Sequence, residues 1–178
     1  DFFTLDGKQV LLCSPQDMLP EGFEYHNGNG TLCLIGQVDE SKKHFTYEHD
    51  QAVDYGIDFY APQTMLAPDG RRIMIAWMQN WDTTGGCPAG AKWFGQMTTP
   101  RELTIRNGRL LQNPVRELEA LRGRRVAYKN VPVHEEVSLT GVYGRVVDMT
   151  VTIKPGDNKG YERFRVKFAK GSQHYCSV

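Results

Sequence analysis

With 178 residues, 40% of them hydrophobic and 24% charged, the chain is long enough for one domain with a proper core or for pieces of two. Its 21 basic and 21 acidic residues cancel and form no run of like charge, which removes the electrostatic footprint expected of a nucleic-acid binder. No apolar stretch approaches the roughly 20 residues of a membrane span. Cys13, Cys33, Cys87 and Cys176 form no C-x-x-C pair, so neither a membrane nor a metal or cofactor is expected as a partner, and the cysteines read as buried or half-buried free thiols.

Taken in order, the chain is nearly all strand and turn. Phe2–Leu5, the turn Asp6-Gly7 and Val10–Cys13 predict a first hairpin. A polar loop from Pro15 to Gly30, with a turn signal at Asn27-Gly28-Asn29-Gly30, leads to a strand over Thr31–Val38 and a partner over His44–Glu48. Asp69-Gly70 then predicts a primed hairpin turn between two apolar-rich runs. A Gly- and Pro-containing loop over 82–92 follows, then short strands over Trp93–Thr99, Arg101–Arg106 and Arg109–Gln112, the last two joined by Asn107-Gly108.

One helix is predicted, over 114–123. Asn113 is placed as its N-cap, Pro114 at the first helical position and Gly123 at the stop, with Val115, Leu118 and Leu121 on one side. Beyond it, Val137–Leu139, Arg145–Ile153, Phe164–Phe168 and His174–Val178 alternate as strands of a second unit over 124–178. That unit is too small to bury much surface alone. The chain opens without a Met or a signal peptide's basic head and closes in mid-strand, so both ends read as cuts and the compartment stays open, the cytoplasm being the first choice. Open strand edges of this kind favour self-association.

The stretch from Asp54 to Trp81 carries the chemistry. The period-2 rule sets Asp58, Tyr60, Pro62 and Thr64 on one face of the incoming strand, and gathers Ile73, Ile75, Trp77, Gln79 and Trp81 on the outgoing one. Carboxylates with a phenol and two indoles at paired strand ends suit a sugar, because aromatic rings stack on its C–H face while carboxylates take its hydroxyl protons. Trp77, inside Ile-Met-Ile-Ala-Trp-Met, reads as core; Trp81, where a loop begins, reads as a pocket residue. Asp58 either caps the turn or bonds a sugar hydroxyl.

Four blocks resemble the later motifs of glycoside hydrolase family thirty-two, the β-fructofuranosidases: Asp54-Tyr55-Gly56-x-Asp58-Phe59-Tyr60-Ala61-Pro62-Gln63-Thr64, Ile75-Ala76-Trp77-Met78-Gln79-Asn80-Trp81, Thr99-Pro100-Arg101-Glu102-Leu103 and Gln112-x-Pro114-Val115-x-Glu117-Leu118. That family holds invertases, sucrose-6-phosphate hydrolases, inulinases and levanases. The resemblance implies an all-β chain: the later blades of a five-bladed β-propeller over 1–113, a connector helix over 114–123, and the start of a β-sandwich over 124–178.

The resemblance also implies retaining chemistry, in which one carboxylate attacks the fructosyl anomeric carbon while a second, about 5 to 5.5 Å away, protonates the leaving oxygen. The family's nucleophilic Asp and its acid/base Glu are expected upstream of Asp1, so no catalytic residue is expected in this chain. Asp54, Asp58, Tyr60 and Trp81 are the expected substrate-binding residues, with Asp54 near the acid/base and able to tune it through like-charge repulsion. Ile57 stands where plant members often carry a Lys. The substrate implied is sucrose, its 6-phosphate or a fructan. The rival reading is a sugar-binding or structural β-module without catalysis.

Overall fold

The computed structural model describes residues 1–26, 28–156, 160 and 163–177. The chain divides into two compact units, Asp1–Leu118 and Glu119–Val178. In the first, two four-stranded antiparallel sheets follow one another. One sheet is β1 (Phe2–Leu5), β2 (Lys8–Cys13), β3 (Leu32–Asp39) and β4 (His44–Ala52); the other is β5 (Tyr60–Leu66), β6 (Arg72–Trp77), β7 (Arg101–Arg106) and β8 (Arg109–Pro114). Within each of these sheets every strand pairs with the next in sequence and none crosses over, although long loops join β2 to β3 and β6 to β7.

Turn chemistry explains much of this. Asp6 and Gly7 (φ 48° and 75°) and Asn107 and Gly108 (φ 52° and 72°) both take positive φ in pairs, the geometry of a primed two-residue turn. The Asp69-Gly70 hairpin is different from the primed turn its sequence suggests. Only Gly70 has positive φ there, the Gly70 N–H reaches the Ala67 carbonyl at 2.9 Å, and the Ala67 N–H reaches the Arg71 carbonyl at 2.8 Å. That is a three-residue loop, a type I turn closed by a left-handed glycine. The turn signal at Asn27 lies outside the described residues.

The core forms where the inward faces of the two sheets meet: Phe3, Val10, Leu12, Cys33 and Ile35 from one, Met74, Ala76, Leu103 and Leu110 from the other, with Val53 and Phe59 from the connection between them. Gln51 ties the sheets together edge to edge. Its side chain donates to the Leu110 carbonyl and accepts from the Leu110 N–H, both at 3.0 Å, while the Gln112 side chain donates to the Val53 carbonyl at 2.6 Å. Paired amides of this kind satisfy backbone groups that burial would otherwise leave unmet. Of the four thiols, none of them paired, Cys33 is buried, and that burial pushes its pKa up to about 12; Cys13 is half-buried, whereas Cys87 and Cys176 are exposed, contrary to the expectation of buried or half-buried thiols.

Two segments before the second unit's strands depart from the expected elements. Trp93–Thr99 is not a regular strand. A single bridge joins Met97 to Trp77, supported by the Met78 N–H on the Gln96 carbonyl (2.8 Å) and the Thr98 N–H on the Ala76 carbonyl (2.9 Å). The predicted helix over 114–123 is a 3-10 helix over Arg116–Leu121, and Asn113 and Pro114 belong to β8, opposite Glu102 and Arg101. The ladder claims them because β8 is an edge strand, where proline's missing N–H costs nothing on the open side. Ion pairs settle the start of this helix: Glu102 accepts from the Arg116 N–H at 2.9 Å and pairs with its guanidinium at 2.8 Å, and Arg71 reaches Glu102, Glu117 and Asp69.

In the second unit, among the described residues, Val137–Leu139 and Arg145–Ile153 form no strand, and the named strands are β9 (Lys167–Phe168) and β10 (Cys176–Ser177), which pair with each other. Val178, the last residue of one predicted strand, lies outside the described residues. Val147, Met149, Val151 and Ile153 alternate as a strand would, yet stay 39–52% exposed, since among the described residues of this unit no second layer covers them. Among the described residues, no helix is long and apolar enough to cross a membrane.

Candidate functional site

The four candidate pocket residues lie at the start of β5 and just past the end of β6. Tyr60 opens β5 opposite Trp77, and the register then slips, so that Ala61 and Pro62 together face one residue of β6 before Gln63 pairs with Ile75. Ala61 sits at φ 48°, a conformation costly for a residue with a Cβ, and its N–H is held by the Ser14 hydroxyl at 3.0 Å. The bulge aims Tyr60: its hydroxyl donates to the Ser14 carbonyl at 3.1 Å and accepts from the Gln16 side chain at 3.2 Å. The phenol is thus tethered to the first sheet and only 8% exposed.

Trp77, expected as core, is half-buried instead. Its neighbours Met74 and Ala76 take the inward face of β6, and strand alternation turns Trp77 to the other side. There it joins Tyr60 and Trp81 in a three-ring cluster with edge-on contacts, the centroids 6.3 Å (Tyr60–Trp77), 6.2 Å (Tyr60–Trp81) and 5.5 Å (Trp77–Trp81) apart. Trp81 is 55% exposed, so the cluster has one open indole. Beneath it Gly95, at φ 89°, lies so close to Gln79 that an added Cβ would stand 2.5 Å from Gln79 Oε1 and 3.4 Å from Trp77 Nε1. Glycine suits that φ, and a Cβ there would have to push the Gln79 amide aside.

The two carboxylates have separate partners. Asp58 accepts from Asn80 Nδ2 at 2.9 Å and from the Thr83 hydroxyl at 3.5 Å. Asp54 pairs with Arg101 Nη1 at 2.8 Å and accepts from the Gly56 N–H at 2.7 Å. Arg101 also donates to Gln112 Oε1 at 2.8 Å and lies 4.6 Å above the Phe59 ring, so one guanidinium joins β7, β8 and the Asp54-Tyr55-Gly56 turn. Tyr55 points outward, donating to Glu24 at 2.7 Å.

The structure therefore brings Tyr60, Trp77 and Trp81 into one cluster and places Asp58 at the turn beside it. Sequence reasoning missed Asn80, Arg101 and Ser14. Asn80 and Arg101 stand inside the quoted motifs, and that membership is the signal that could have drawn attention to them. An apolar cleft on the hairpin, lined by Gln63, Thr64, Met65, Ile73 and Ile75, includes none of the four candidates. Among the described residues, no group of three or more His, Cys, Asp or Glu side chains is gathered as a metal site would require.

Comparison with known proteins bears on this arrangement. The family described as "Glycosyl hydrolases family 32 N-terminal domain" matches residues 1–114. The chain belongs to glycosyl hydrolase family 32. It is 37% identical over 175 residues to the raffinose invertase of Escherichia coli, covering 98% of this chain and 36% of that protein. It is 42% identical over 125 residues to the sucrose-6-phosphate hydrolase of Escherichia coli, covering 68% of this chain and 25% of that one. The chain thus spans about a quarter to a third of the curated relatives it matches.

Among solved structures, a Bombyx mori GH32 β-fructofuranosidase aligns at 35% identity with a TM-score of 0.62, covering 71% of this chain and 27% of that one. A mutant of that enzyme in complex with sucrose aligns at 0.63. The family-32 chain is accordingly all-β, its antiparallel sheets those of a β-propeller.

Proposed function

We propose that this chain forms part of a retaining β-fructofuranosidase, supplying one wall of the pocket that holds a β-linked fructoside such as sucrose, sucrose 6-phosphate or a fructan. The observation that carries the reading is the ring cluster of Tyr60, Trp77 and Trp81, with one indole open and a carboxylate at its turn, in a family-32 chain. Relatives named for invertase and sucrose-6-phosphate hydrolase activity, and a neighbour solved with sucrose, support the substrate class. On this reading Trp81 stacks on the sugar, Tyr60 stiffens the ring cluster behind it, Asp58 orders the turn within reach of a hydroxyl, and Asp54 flanks the acid/base.

The nucleophile and the acid/base are assigned to sequence outside this stretch. A retaining pair must flank one bond from two sides. Asp54 is committed to Arg101, and Asp58 to Asn80 and Thr83, and the two stand four residues apart in the one connection that leads into β5. The whole propeller is taken as five-bladed, with residues 1–113 as later blades, 114–123 as connector and 124–178 as the opening of a β-sandwich whose remaining strands would cover its exposed valines. Residues 1–178 expressed alone are expected to self-associate through unpaired strand edges.

The test is kinetic. Trp81→Ala in the intact enzyme is expected to lower kcat/KM for sucrose about tenfold, or about 1.4 kcal/mol of transition-state binding, with an unchanged melting temperature. Unaltered kinetics in a folded variant would remove Trp81 from the pocket. Residues 1–178 alone are expected to release no fructose from sucrose above the buffer rate. Release that disappears in Asp54→Asn or Asp58→Asn would place the catalytic pair within this stretch and overturn the assignment.

A further inference from the structure

Asn80 is among the most deeply buried polar residues of the first unit, at 2% exposure, and every polar atom of its side chain is engaged. Its Nδ2 donates to the Ile57 carbonyl at 3.0 Å and to Asp58 Oδ1 at 2.9 Å; its Oδ1 accepts from the Asp82 N–H at 2.8 Å. Its main chain closes a turn as well: the Asn80 carbonyl accepts from the Thr83 N–H and hydroxyl, each at 3.2 Å, and its own N–H donates to that hydroxyl at 3.3 Å. One residue on, the Thr84 hydroxyl donates to the Trp81 carbonyl at 2.9 Å. The Asp82 side chain accepts from Asn29 Nδ2 at 2.9 Å, which carries the network into the loop between β2 and β3.

Trp81 therefore sits between two residues, Asn80 and Asp82, that are fixed through one buried amide, while its own indole stays open. We propose that Asn80 is the positioning residue of the sugar pocket: by tying the Trp81 turn to the start of β5 it sets the height and tilt of the indole against which a furanosyl ring packs. The inference rests on the pocket reading of Trp81 given above. The physical reason for an amide is its double character. A carboxamide offers donors to Asp58 and to the Ile57 carbonyl together with an acceptor for the Asp82 N–H, a set that neither a carboxylate nor an apolar side chain of the same shape can supply. A turn held by side chains at three points loses little freedom when a ligand arrives, which is what preorganisation of an aromatic platform requires.

A double-mutant cycle in the intact enzyme tests it, with sucrose as substrate and Asn80→Ala, Trp81→Ala and the double variant compared. Asn80→Ala is expected to raise KM and lower kcat/KM about tenfold, yet by less than about twofold when Trp81 is already alanine, because its effect travels through the indole. Asn80→Asp, equal in size and still able to accept from Asp82, is expected to be impaired as well, since it places a second carboxylate against Asp58.

Thr83→Val removes hydroxyl contacts of the same turn and leaves Asn80 in place. It is expected to give the same non-additive pattern at smaller size, so the test stands even where the Asn80 variants fold poorly. Acrylamide quenching of tryptophan fluorescence is expected to rise in each variant that retains Trp81. Wild-type kinetics in the Asn80 and Thr83 variants, or losses that simply add to that of Trp81→Ala, would overturn the positioning role while leaving the pocket reading intact. An inert Trp81→Ala would instead overturn both.

Discussion

The strands of the first unit and the alternating segments of the second read alike in sequence and fare differently in space. In β2, Val10 and Leu12 are 0% and 2% exposed; in the second unit, Val147, Met149, Val151 and Ile153 keep the same period of two at 39–52% exposure, outside any ladder. Val10 lies between hydrogen-bonded neighbours on both sides and under a second sheet. Val151 has neither. Alternation marks which face a strand would bury, and the burial itself comes from a second layer that must be supplied.

The largest expected contrast is in core truncation. Leu110→Ala, at a site 2% exposed and bonded across to Gln51, is expected to cost about 2 to 5 kcal/mol, read as a lower denaturation midpoint of the first unit at unchanged slope. Next comes hydrogen exchange. Amides of β2, β3, β6 and β7 are expected to be protected close to the global stability, and those of residues 137–153 to exchange near the unprotected rate; equal protection in the two would dissolve the distinction.

Acid sharpens the contrast on the first unit's edge. The Arg116 side chain and N–H, followed by Arg71, hold Glu102 well below its ordinary 4.5, at about 2. A depressed carboxylate contributes its stability fully above pH 4.5 and loses it as pH falls toward 2. The first unit's melting temperature is therefore expected to fall across that window, and Glu102→Gln to flatten the fall while lowering the value at neutral pH. The smallest effect belongs to Val146, 97% exposed, where Val146→Ser is expected to change stability by less than about 0.5 kcal/mol. A larger change would mean that a partner layer covers the second unit in solution.

The sequence by itself determined the hairpins and their order, because turn geometry is local: Asp6-Gly7 and Asn107-Gly108 can take paired positive φ whatever surrounds them, and each closes neighbouring strands. Through its motifs it also determined the family, and with it Tyr60 and Trp81 as residues at strand ends. Tertiary structure decided the rest. Pro114 joined β8 instead of starting a helix because an edge strand accepts a missing donor and because Arg116 had Glu102 to bond. Trp77 left the core for the ring cluster because Met74 and Ala76 took the inward face. Asp54 found Arg101 and Asp58 found Asn80 across about 20 to 50 residues of chain, and such pairings depend on which strands meet, a fact that no local pattern contains.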